Sequence, residues 1–119
     1  MLPAERARLY RLIDETDAKG VVMLSGDRHS AALYRKDGVN EYPLFEATSS
    51  SLNLPGARWR AESGDTYVEP GPNRLAGMFF EANYGVVDID WDVEAVDVSI
   101  RGETGEVFAS ERLFLKDLR

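Results

Sequence analysis

The spacing of apolar and polar residues divides this chain into a helical start, a mixed middle and an alternating end. From Pro3 to about Ala18, Leu9, Leu12, Ile13 and Thr16 recur at helical intervals, and Glu5, Arg6, Arg8, Arg11, Asp14 and Glu15 cover most of the rest. The pattern predicts a helix. Pro3 is tolerated in its first turn, where a missing N–H has no partner to lose, and Gly20 is the expected stop. Val21–Leu24 is apolar without alternation, which predicts a short strand in a sheet covered on both sides. Ala31–Arg35 and Tyr42–Thr48 read as a strand pair. The turn signal KDGVN, Lys36 to Asn40, lies between them and makes a hairpin the expectation.

Periodicity disappears over residues 49–77, a stretch rich in Ser, Gly, Pro and Asn. A long irregular loop is expected there, and Leu52, Leu54, Trp59 and Tyr67 imply that it packs down as ordered cover. Beyond it, Val87, Ile89 and Trp91 alternate with Asp88, Asp90 and Asp92, and Val96, Val98 and Ile100 with Asp97, Ser99 and Arg101. With a turn at Gly102–Glu106 and a last strand over Val107–Leu115, this predicts three antiparallel strands burying one face. The fold class is therefore α+β: mostly antiparallel or mixed β with an N-terminal helix. At 119 residues one domain is expected, spanning 1–119.

Composition narrows the chemistry. The net charge of −7 repels phosphate backbones at long range, and no basic tract offsets it, so nucleic acid is not an expected partner. There is no cysteine, which removes disulfides, thiolate ligands and thiol nucleophiles. The opening MLPAERARLY lacks the apolar segment of a signal peptide, and no apolar run approaches membrane-spanning length. The chain reads as soluble. The compartment stays open between cytoplasm and export as part of a longer parent.

The single histidine, His29, lies in SGDRH directly after the first apolar run. Aspartate and neutral imidazole both suit a divalent metal, so Asp27 and His29 are candidate ligands; a turn-capping aspartate and a satisfied polar histidine are the alternative. Arg58, Arg60 and Arg74 form either a local anion-binding face or a solvated, salt-bridged surface. The four hydroxyls of Thr48–Ser51 suit turn hydrogen bonding, with substrate contact as the alternative. DIDWD fails as an EF-hand, because the places of its glycine and glutamate hold Val93 and Ser99.

LSGDRH (24–29), EATSSSLNLP (46–55) and NYG (83–85), in this order and spacing, resemble the C-terminal part of a PhoD-like metallophosphatase of the calcineurin-like metallophosphoesterase superfamily. The similarity runs through nearly the whole chain. It implies the C-terminal portion of a four-layer αββα sandwich and hydrolysis of a phosphate mono- or diester. It also implies Fe, Ca, Mn or Zn as cofactor. Asp27 and His29 would be catalytic metal ligands, with Arg28, Arg58 and Arg74 near the substrate. The family's earlier motifs, resembling D-x-H, G-D-x-x-D and G-N-H, would precede residue 1, and with one histidine none of the histidine-containing ones can be present elsewhere in the chain. The expectation is a partial domain, inactive alone, completed by a missing N-terminal half or associating as a homo-oligomer. A non-catalytic β-rich oligomerisation or scaffold module is the competing expectation.

Overall fold

The computed structural model describes residues 2–119. Helix α1 spans Pro3–Glu15 and is followed by strands β1 (Val22–Ser25), β2 (Ala31–Lys36) and β3 (Leu44–Ser49). Helix α2 (Gly56–Ser63) precedes β4 (Arg74–Phe79), β5 (Asn83–Asp90), β6 (Ala95–Gly102) and β7 (Val107–Phe114). A 3-10 turn at Leu115–Asp117 ends the chain's regular structure. This is the expected α+β class.

The strands form two sheets. One is mixed, in the order β1-β3-β2-β4; the other is antiparallel, β5-β6-β7. β2 and β3 pair antiparallel, as the KDGVN turn implies, whereas β1 runs parallel to β3. The sheets face each other across a core. Ala31, Leu33, Ala47, Val96, Val98, Ile100 and Leu113 belong to it, and the Phe79 and Phe108 rings meet at 5.3 Å. Ile13, with Leu9 and Tyr10 beside it, joins α1 to the same core. Central β6 buries Val96, Val98 and Ile100, the row its alternation predicts.

Four expectations are corrected. α1 stops at Glu15, before Ala18, because Asp17 takes a left-handed φ of 51°. Its N–H then bonds the Asp14 carbonyl while that of Ala18 bonds Ile13, a Schellman close without glycine. β1 is not covered on both sides. It is an edge strand paired only with β3, and Leu24 is 65% exposed. Residues 49–77 are not one irregular loop, since they contain α2 and the first residues of β4, and Leu52, Leu54, Trp59 and Tyr67 stay exposed instead of packing down. The helix has only a weak apolar stripe for periodicity to reveal. It is fixed instead by Gly56 and Ala57 N–H groups on the His29 and Phe80 carbonyls, and Gly64 closes it with a φ of 71°. Finally, Val87 and Ile89 face the inter-sheet side but stay 44% and 42% exposed, because β5 is also an edge; Trp91 lies past the strand end.

Candidate functional site

Parallel pairing of β1 with β3 sets Ser25 beside Thr48, so the chain leaves both strands at the same end of the sheet. The loop after β1 is SGDRH and the loop after β3 is SSLNLP. Carboxyl ends of neighbouring parallel strands are where open sheets present ligand sites. The two loops are stapled together. Arg28 N–H donates to Ser50 Oγ at 2.9 Å, and that hydroxyl donates to the Ser30 carbonyl at 3.3 Å. Gly56 N–H reaches the His29 carbonyl at 2.9 Å. Ser49 donates to Asn83 Oδ1 at 2.9 Å, tying β3 to the start of β5. Ser49 and Ser50 therefore hold backbone and side chains in place, whereas the buried Thr48 and Ser51 hydroxyls make no hydrogen bond, so the turn-bonding expectation holds for two of the four.

Asp27 and His29 both have left-handed backbones, with φ of 64° and 53°. Such values are uncommon outside glycine and tend to collect at functional turns. Nδ1 of His29 lies 2.9 Å from the Leu54 carbonyl. A carbonyl only accepts, so the ring donates through Nδ1–H, and the neutral imidazole keeps its lone pair on Nε2. This is how imidazoles that bind metal are usually oriented. Two residues earlier, Asp27 is exposed. Among the described residues no three His, Asp or Glu side chains converge.

Arg28, between them, is committed elsewhere. Its guanidinium pairs with the Glu69 carboxylate, whose other oxygen accepts from the Tyr34 hydroxyl at 2.8 Å. Arg74 Nη1 holds the Glu69 backbone carbonyl at 3.0 Å. The Arg28 hydrogen bond holds the Glu69 carboxyl below its ordinary value, and raises Arg28 in return. Burial, with help from the bond to Glu69, pushes the Tyr34 phenol up to about 12, so it keeps its proton at neutral pH.

The other arginines separate. Arg58 pairs with Glu62 on the outer side of α2 and is 76% exposed. Arg60 lies 3.9 Å over the Phe80 ring and bonds the Tyr67 carbonyl at 2.8 Å, so its task is holding α2 and the following segment. Of the candidate site residues, the structure therefore places Asp27, Arg28 and His29 on one loop and links Arg74 to it through Glu69. Arg58 stays apart. Sequence reasoning missed Leu54, Tyr34 and Glu69.

The acidic row on β5 is structural. Asp90 Oδ1 receives the N–H groups of Asp92 and Val93 at 3.2 and 3.4 Å, and Arg112 lies between Asp90 and Asp97 at 3.4 and 3.2 Å. Compared with known proteins, the chain matches no family model, no curated protein and no solved structure.

Proposed function

We propose that this chain is the C-terminal segment of a metal-dependent phosphoric ester hydrolase, contributing Asp27 and His29 to a metal centre whose other ligands lie outside residues 1–119. The observation that carries the reading is the His29 ring, with Nδ1 spent on Leu54 and Nε2 kept as a lone-pair donor on the turn that also bears Asp27. A second support is position, since the pair sits on a left-handed turn at the carboxyl ends of parallel strands. The donor types fit Mn, Zn or Fe, whereas Ca takes oxygen ligands and does not suit the imidazole, and their number does not complete a site. When bound, such an ion polarises a phosphoryl oxygen. The chain's own part is to fix the imidazole through Leu54 and to carry Arg28 on the same turn, tied to Arg74 through Glu69. The full four-layer sandwich belongs to this proposal, with further layers packing beyond the two sheets and helix described above.

The test is metal binding at the pair. Manganese titrated into the full chain broadens the NMR signals of the His29 ring and the Asp27 side chain, and His29→Ala abolishes the effect. The chain alone hydrolyses no aryl phosphate above background with any of these metals. Broadening spread over the acidic surface but absent at His29 sinks the reading. So does an active isolated chain, which would require a complete centre.

A second reading, a non-catalytic oligomerisation module, has its own observation. β1 and β5 are both edge strands. A groove of about 200 Å³ opens between the two sheets on their side, lined by Leu24, Ala47, Val87 and Val98 among others. Apolar edges of this kind invite self-association. Sedimentation equilibrium decides it: a dimer or higher species is expected, and a monomer at all concentrations overturns the module.

None of the described helices is long and apolar enough to cross a membrane.

A further inference from the structure

Three donors from three separate elements converge on one residue, two on its carboxylate and one on its backbone carbonyl. Arg28 comes from the SGDRH loop, Tyr34 from β2 and Arg74 from the start of β4, and all three contact Glu69. The carboxylate takes Arg28 on one oxygen and Tyr34 on the other, while Arg74 grips the backbone carbonyl of the same residue. In a chain of net charge −7, two arginines gather here on one hydrogen-bonded acid, with the Glu46 carboxylate acting on Arg28 from the neighbouring strand. Glu69 lies in residues 65–73, which have no helix or strand and carry Pro70, Gly71 and Pro72. The Arg74 side chain lies so close over Gly71 that a Cβ there would come within 2.6 Å of its guanidinium carbon. The donors thus rest on strands and a stapled loop, and the acceptor rests on an irregular segment.

We propose that Arg28, Tyr34 and Arg74 form a binding site for a phosphoryl dianion, and that Glu69 fills it as an internal surrogate which the ligand displaces. A phosphoryl group brings up to two charges and three strong acceptor oxygens, against one charge and two oxygens for the carboxylate. Three donors match three oxygens once the Glu69 carbonyl leaves Arg74. The Glu69 side chain is 24% exposed and that of Arg28 46%, so the pair is reachable from solvent, and an ion pair of this kind is a weak tether. The segment holding Glu69 then acts as a gate that opens for an anionic ligand. Choosing a phosphoryl group over other oxyanions rests on the proposed function; the surrogate relationship does not.

The experiment titrates inorganic phosphate into the full chain with EDTA present, following the Arg28 and Arg74 guanidinium signals by NMR. No metal is involved, so its failure and failure of the His29 reading are separate results. Glu69→Ala is expected to bind phosphate about ten-fold tighter than the parent, the effect of one charge-assisted hydrogen bond on an equilibrium constant. Adding Arg28→Ala removes the gain. Sulfate replacing phosphate in the same pattern supports the site and widens its ligand to tetrahedral oxyanions. Should Glu69→Ala lose its fold, Glu69→Gln is read instead, because it keeps a partner for Tyr34 and loses only the charge. Affinity unchanged by removing Glu69, or a gain that survives the loss of Arg28, overturns the proposal and leaves Glu69 as a structural latch.

Discussion

Ile100→Ala lowers the stability of this chain by about 4 kcal/mol, within the range for deleting a large buried aliphatic side chain. Ile100 is wholly buried in the middle of β6, the central strand of its sheet. Its cross-strand neighbours are Gly85 and Ala109. A glycine and an alanine have nothing to swing into the space, and β6 cannot move toward the opposite sheet without breaking two ladders. The cavity therefore stays, and its cost adds to the lost burial. Against a typical total of roughly 5–15 kcal/mol, that is a large share. Urea unfolding reads it as a fall in midpoint at constant slope. Val87→Ala is the contrast. It sits on the same face, but at the open edge and 44% exposed, and should cost only about 1 kcal/mol. Equal losses at the two positions would mean that the edge is covered and the two-sheet core wrongly located.

The contrast between these positions also marks what alternation along a sequence can reveal. Val96, Val98 and Ile100 and the row Val87, Ile89 share one pattern, and both rows do face the other sheet. Which strand is central and which is an edge is a property of pairing order, and period two carries no trace of it. Val21–Leu24 misleads as well. A short unbroken apolar run reads as covered on both faces, yet no residue of β1 is buried and Leu24 is 65% exposed. α1 was legible because its stripe is regular. α2 was not, because it is anchored by backbone bonds to His29 and Phe80 and by Arg60 on a ring, all distant in sequence or dependent on tertiary approach.

The candidate site divides along the same line. SGDRH was recognisable as a polar turn closing a strand, with one imidazole and one carboxylate two residues apart. Its partners were not. Leu54 is 25 residues from His29, Glu69 is 41 from Arg28 and 35 from Tyr34. A lone glutamate in EPGP has no local feature separating it from any other surface acid. What picks it out is the convergence of three donors, which exists only once β2, β4 and the loop after β1 are assembled.

Gly56→Ala should be the most damaging change near the site, although Gly56 carries no chemistry. A Cβ at this position would stand 2.4 Å from the His29 carbonyl oxygen and 3.3 Å from a Phe80 ring carbon. The first contact is with backbone, so no rotamer relieves it. Either α2 withdraws and loses the Gly56 and Ala57 N–H bonds to His29 and Phe80, or the turn bearing Asp27 and His29 moves. Overpacking of this sort costs about 1–3 kcal/mol, with the upper end expected here because the clash falls on an existing hydrogen bond. The second consequence is specific. Leu54 lies one residue beyond Asn53 and two before Gly56, so displacing α2 carries the Leu54 carbonyl away from the His29 Nδ1. The fixed tautomer is then lost, and 15N shifts of the ring report a mixture where the parent shows Nε2 unprotonated. Gly26→Ala serves as the comparison from within SGDRH itself. Its Cβ would meet Ser50 at an ordinary 3.4 Å, so the change should stay within about 1 kcal/mol and leave the tautomer intact. If Gly56→Ala is stable with the His29 ring unchanged, helix α2 does not hold the imidazole. The orientation of Nε2 would then have to come from the strained turn alone.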